Sequence, residues 1–195
     1  MGTEKKENGR SKAAYFFAGV GIGALVVLVL VMLFQQNISQ NMLFALPFMQ
    51  TSQATVTPIF SPENGNGIIE FIKSANISME MEMYTFSSED VISAVISAKD
   101  RGVNVRIILE EDVVSATNKK TYDKLKAAGV DIRWASKKYA LTHAKFTIID
   151  GKLVLVGSHN LSKNALEKNR EASAIISGPA VDEFEKVFET DWEMT

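Results

Sequence analysis

His143-Ala144-Lys145-Phe146-Thr147-Ile148-Ile149-Asp150, followed after six residues by Gly157-Ser158-His159-Asn160, is the stretch from which the rest of the chain can be read. As a strand, its period of two places His143, Lys145 and Thr147 on one face and Ala144, Phe146 and Ile148 on the other. Asp150-Gly151 is a favoured two-residue hairpin turn, so residues 152–156 are predicted to return antiparallel. That return brings Gly157-Ser158-His159-Asn160 back beside His143, and one hairpin gathers His, Lys, Ser and Asn. The set suits phosphoryl transfer. A neutral imidazole can attack phosphorus, while Lys145, Ser158 and Asn160 hold the phosphate oxygens as charge develops on them. No metal ion and no cofactor is required by such chemistry. By the same parity Asp150 points away from the His143 face and sits in the turn, which gives it a structural role.

Upstream of the hairpin the pattern alternates between strand and helix. Strands are predicted over 54–60, 77–86, 103–109 and 130–135, with Met79, Met81 and Met83 alternating against Glu80 and Glu82 in the second. Helices are predicted over 62–74, from Ser87 or Ser88 to about Arg101, and over 117–128, the last two stopped by Gly102 and Gly129. Such β-α-β alternation predicts an α/β domain over 54–195 with a mixed, largely parallel sheet flanked by helices.

Residues 13–34 form 22 consecutive positions without a charge. A helix of that length spans about 33 Å, enough for the hydrocarbon core of a bilayer. One N-terminal transmembrane helix is therefore expected. A cleaved signal peptide is the competing reading, although its apolar region normally runs about 7–15 residues. Lys5, Lys6, Arg10 and Lys12 precede this segment and no Lys or Arg follows it until Lys73. The positive-inside rule then places residues 1–12 in the cytoplasm and the domain outside, or facing the cytosol if the membrane is an organelle's outer membrane. Gly19 and Gly23 make a G-x-x-x-G spacing that permits close helix pairing, and also match the ordinary glycine content of such helices. Residues 35–53 read as a linker.

The net charge of −2 conceals an uneven distribution. Residues 63–112 hold four basic and ten acidic side chains, 119–170 hold twelve basic and four acidic, and 171–193 hold one basic and seven acidic. The basic block suits a polyanion, although a charge block is also what a solvated face looks like. Cysteine is absent and histidine occurs twice, at His143 and His159. These counts exclude a disulfide framework, a thiol nucleophile and any cysteine-ligated metal, and make a histidine-rich metal site within one chain improbable.

The motif residues resemble the phospholipase D superfamily, whose signature is H-x-K-x4-D followed by G-S-x-N; His143, Lys145, Asp150, Gly157, Ser158 and Asn160 match all six fixed positions. A chance match over this length is on the order of one in a million. In that superfamily a Glu about eleven residues beyond the Asn holds the catalytic imidazole, and Glu171 stands at that spacing. The resemblance implies His143, Lys145, Asn160 and Glu171 as catalytic residues. It also implies a homodimer, because the mechanism uses two histidines and this chain carries one motif. His143 of one copy would form a phosphohistidine while that of the other moves the proton. His159, at the variable position, is either a substrate contact or incidental. Trp134 and Tyr139 either stack on bases or pack.

The short single-motif layout is similar to small bacterial endonucleases and to membrane-anchored mitochondrial members linked to cardiolipin hydrolysis and small-RNA processing. The sequence therefore predicts a membrane-anchored, metal-independent phosphodiesterase. A non-specific endonuclease acting on DNA or RNA is the first reading, a phospholipase D or cardiolipin hydrolase the second, and an inactive nucleic-acid or lipid-binding module the third.

Overall fold

The computed structural model describes residues 54–111 and 117–195, together with Met32. Apart from Met32, the predicted tail, span and linker over 1–53 lie outside the described residues. Among the described residues no helix is long and apolar enough to cross a membrane.

The alternating stretch after Ile77 forms β2 (Ser78–Met83), and the apolar run after Val103 forms β3 (Asn104–Leu109). These pair in parallel, Met81 opposite Ile107, through the crossover helix α2 (Glu89–Asp100). A second crossover, α3 (Thr117–Ala127), leads to β4 (Asp131–Trp134), parallel to β3. This half is the predicted β-α-β unit.

The other half corrects the expectation of a largely parallel sheet. β5 (Lys145–Ile149), β6 (Leu153–Gly157), β7 (Glu171–Ser177) and β1 (Val56–Ser61) all join antiparallel, in the order β1-β7-β6-β5-β2-β3-β4. Two of the six strand pairs are parallel. The physical reason is connection length: a two-residue turn can only join antiparallel neighbours, and Asp150-Gly151 is such a turn. Both residues take positive φ, 56° and 60°, the conformation that a right-twisted hairpin demands. The strand predicted to contain His143 begins at Lys145, and His143 lies just before it.

Three further helices complete the domain: α1 (Gly67–Lys73), α4 (Lys163–Glu167) and α5 (Ala180–Glu193). α1, α2 and α3 cover one face of the sheet, where Met79, Met81, Met83, Ile107 and Leu109 pack with Ile72, Val91, Val95 and Leu125. α5 covers the other face, setting Val181, Phe188 and Trp192 against Ile108, Phe146, Ile148 and Val154. The polar face of β2 is thus roofed. Glu80 and Glu82 are 6% and 4% exposed, and Arg106 bridges Glu80 at 3.4 Å to Glu189 of α5 at 2.5 Å. Burial, with the neighbouring Asp191 carboxylate, pushes the Glu82 carboxyl up to about 8. It therefore holds a proton at neutral pH and can donate it to Asp191.

Candidate active site

Apart from Asp150, the motif residues lie at one end of the sheet, where β2 and β6 finish and β5 and β7 begin. Lys145 pairs with Met83, and the Tyr84 N–H donates to the Ala144 carbonyl at 3.0 Å, which fixes the chain immediately after His143. His143 is exposed. The Lys145 ammonium lies 3.2 Å from His143 Nδ1 and 3.4 Å from Nε2, and donates to the His143 carbonyl at 2.9 Å. The Tyr84 ring completes the group, 4.4 Å from the imidazole between centroids and 5.0 Å from Lys145 Nζ. Desolvation lowers the Lys145 pKa, and the Glu171 charge opposes that shift. A cation held against an exposed imidazole is a place where an anionic phosphate can settle beside a nucleophile.

The second half of the motif builds a separate hydrogen-bonded group. Gly157 sits opposite Ser173, and a Cβ at Gly157 would lie 2.2 Å from Ser173 Oγ and 2.4 Å from the Ala172 carbonyl oxygen, so only glycine allows this approach of β6 to β7. Beyond it, Ser158 Oγ donates to Glu171 Oε2 at 2.5 Å and accepts from the Ala172 N–H at 3.1 Å. Asn169 Nδ2 donates to Glu171 Oε1 at 3.2 Å. Partial burial raises the Glu171 pKa, but the Ser158 and Asn169 hydrogen bonds and the charges of His159 and Lys145 outweigh it and hold the carboxyl below its ordinary value. Among the described residues no hydrogen bond joins Glu171 to His143; its carboxylate is held by Ser158 and Asn169. The single proton of Ser158 is therefore directed at Glu171. Asn160 Oδ1 is buried and has no hydrogen-bond partner among the described residues.

Asp150 stands at the opposite end of β5. Its Oδ1 accepts from the N–H groups of Ile77 at 2.8 Å and of Asn76 and Ser78 at 3.1 Å, tying the hairpin turn to the start of β2. His159 is 3% exposed, bonded through Nδ1 to Ser173 Oγ at 2.7 Å, with its pKa lowered by desolvation. Trp134 stacks on Tyr122 of α3 at 4.1 Å, whereas Tyr139 is exposed.

Two features of the site were not legible in the motif. Tyr84 gave no signal because only the sheet order places β2 beside β5. Asn169 sits two residues before Glu171, and its bond to that carboxylate depends on the turn that leads into β7. The basic block is also less open than its count suggests: Lys119, Lys124, Arg133, Lys137, Lys163 and Arg170 form ion pairs with Asp123, Glu89, Asp131, Glu111, Glu167 and Glu63. Half of its twelve cations are thus partly neutralised.

Residues 68–192 match the family model described as "Cardiolipin synthase, PLD-like domain". A mitochondrial cardiolipin hydrolase of Chlamydomonas reinhardtii is 31% identical over 135 residues, covering 69% of this chain and 60% of that protein. A phospholipase D of Rickettsia prowazekii is 32% identical over 129 residues, covering 65% of this chain and 62% of that one. The chain thus spans about three fifths of the length of these curated relatives. Among solved structures, Nuc of Salmonella typhimurium, a phospholipase D family member, superposes with a TM-score of 0.68 at 27% identity, covering 73% of this chain and 96% of that one. NucT from Helicobacter pylori shares the fold with a TM-score of 0.62 at 23% identity, covering 73% and 98%. The family match runs over more than half of the chain and the fold likeness agrees with it: the chain belongs to the phospholipase D superfamily of phosphodiesterases.

Proposed function

We propose that this chain is a metal-independent phosphodiesterase that works through a phosphohistidine on His143, in an active site completed by a second copy. The observation that carries the reading is the Lys145 ammonium lying 3.2 and 3.4 Å from the two ring nitrogens of an exposed His143. An imidazole nitrogen attacks phosphorus, the N–P bond forms and the bond to the leaving oxygen breaks. The partner subunit's His143 protonates that oxygen, then takes a proton from the water that attacks the phosphohistidine. Lys145 and Asn160 steady the non-bridging oxygens. Glu171 supplies a fixed negative charge that supports imidazolium formation, and Ser158 acts first by holding Glu171 in place. Asp150 anchors the hairpin.

Nucleic acid, DNA or RNA, is the first substrate class. The support is an open site whose neighbours, Ser158, Asn160, Asn169 and Arg170, are polar and suited to phosphate and sugar oxygens. Phospholipid is the second, favoured by the printed names of the two curated relatives, by the pairing of half the basic block, and by the span read at 13–34, which would hold the site at a headgroup surface. That span would leave residues 1–12 in the cytoplasm.

The deciding experiment incubates the full chain and its His143→Ala variant in EDTA with single-stranded DNA, RNA, duplex DNA and cardiolipin vesicles. Cleavage of a nucleic acid that vanishes in the variant is the expected result. Release of phosphatidic acid with nucleic acids intact would select the phospholipid reading. Binding without turnover in both proteins would select an inactive module, and complete loss of activity in EDTA would overturn the mechanism. Sedimentation showing an active monomer would overturn the shared site.

A further inference from the structure

Glu110 follows β3 directly, is 4% exposed, and has no place in the motif. Its Oε2 accepts the backbone N–H of Thr142 at 2.7 Å. Thr142 is 8% exposed and immediately precedes His143. The connection from β4 to β5 has no regular structure, so whatever holds its last residues sets where His143 stands. Two backbone contacts bracket the histidine: the Thr142 N–H on Glu110, and the Ala144 carbonyl receiving the Tyr84 N–H at 3.0 Å.

Glu110 is itself tightly held. Its N–H donates to the Met83 carbonyl at 3.1 Å, and its carbonyl accepts from Asn118 Nδ2 at 2.8 Å. Asn118, 1% exposed on α3, also donates to the Tyr84 carbonyl at 2.7 Å and accepts the Phe86 N–H at 2.9 Å. One buried amide thus locks the end of β2, which carries Tyr84 against His143, to the end of β3, which carries Glu110. A carboxylate on such a mount is a stiff, charge-assisted acceptor.

We infer that Glu110 is a positioning residue for the nucleophile: by accepting the Thr142 N–H it sets the imidazole of His143 against Lys145 and Tyr84. The inference rests on the reading of His143 as nucleophile, and a misplacement near 1 Å is enough to cost about 100-fold in rate. Glu110→Gln keeps an acceptor oxygen at the same reach, whereas Glu110→Ala leaves a buried N–H unpaired.

The test uses the full chain, with bis(4-nitrophenyl) phosphate in EDTA as the phosphodiester probe. Glu110→Ala should lower kcat by about 10- to 100-fold with KM within about twofold, while Glu110→Gln stays within about threefold of the parent. The chain has two histidines, and His159 is buried, so their ring NMR signals report separately. The His143 signal and its pH titration should move in Glu110→Ala and stay in Glu110→Gln, with His159 unmoved in both. A folded Glu110→Ala protein with parental kcat and an unmoved His143 signal would overturn the inference, as would equal loss in both variants. If the alanine variant fails to fold, hydrogen exchange decides: a protected Thr142 amide in the parent and in Glu110→Gln supports the contact, and a rapidly exchanging one overturns it. Turnover of the probe that survives His143→Ala would instead sink the nucleophile reading, while the His143 signal would still judge the contact.

Discussion

The two ends of β5 carry the first and last residues of one motif and do different work. At the first end His143 and Lys145 face solvent beside Tyr84, and the groups there are arranged around a space where a phosphate can sit. At the last end Asp150 turns its carboxylate back onto three N–H groups at the start of β2. On the proposed mechanism the first end serves reactivity, while the last serves geometry. A motif contiguous in sequence is therefore not one site in space, and the separation of the ends follows from the roughly 3.3 Å rise per strand residue.

Substitution at each end breaks the comparison in its own way. His143→Ala should reduce turnover by about 10⁴-fold, equivalent to about 5 kcal/mol of barrier, with the unfolding midpoint in urea unchanged. Asp150→Ala should do the reverse, costing about 2–3 kcal/mol of stability in the same titration while kcat of the folded protein stays within about threefold. Partial burial raises the Asp150 pKa, but the N–H groups of Ile77, Ser78 and Asn76 outweigh it and leave the carboxyl below its ordinary value. The stability that it contributes is present above the unfolded carboxyl pKa of about 4 and lost as pH falls through the lower folded value. The acid limb of a stability-against-pH curve should accordingly be shallower in Asp150→Asn than in the parent.

Glu82, opposite Phe146 on the neighbouring strand, sharpens the comparison from between the two ends. Its folded pKa of about 8 lies above the unfolded value, so the sign is opposite: stability is fully present below the unfolded pKa and falls as pH rises through 8. Glu82→Gln should be more stable than the parent at pH 9 and equally stable at pH 4, by thermal or urea unfolding. The smallest effect belongs to Ser158→Ala, which frees Glu171 from one of its two donors. Turnover should drop about tenfold with little change in stability. An undiminished rate would remove Ser158 and its hold on Glu171 from the mechanism.

The legible parts were those governed by local periodicity and turn chemistry. Alternation in 78–83 and the apolar run in 104–109 gave β2 and β3, glycines marked the ends of α2 and α3, and Asp150-Gly151 gave the hairpin. The same alternation left open what covers its polar face. Glu80 and Glu82 do face away from the methionine core, yet α5 covers them, because period shows which side a residue takes and not what lies over that side. His159 looks from its loop position like a candidate contact, and lies buried against Ser173.

What the sequence by itself determined was the hairpin that brings His143, Lys145, Ser158 and Asn160 together, since that depends on residues near one another in the chain; the catalytic roles proposed for them, and for Glu171, rest on the motif's resemblance to the superfamily. Only the tertiary structure decided the antiparallel half of the sheet, the placing of Tyr84 against His143, the attachment of Glu171 to Ser158 and Asn169, and the seat of Thr142 on Glu110. Each of these depends on which strand lies beside which. That order is fixed by burying both faces of the sheet at once, a condition on the whole domain that no local pattern carries.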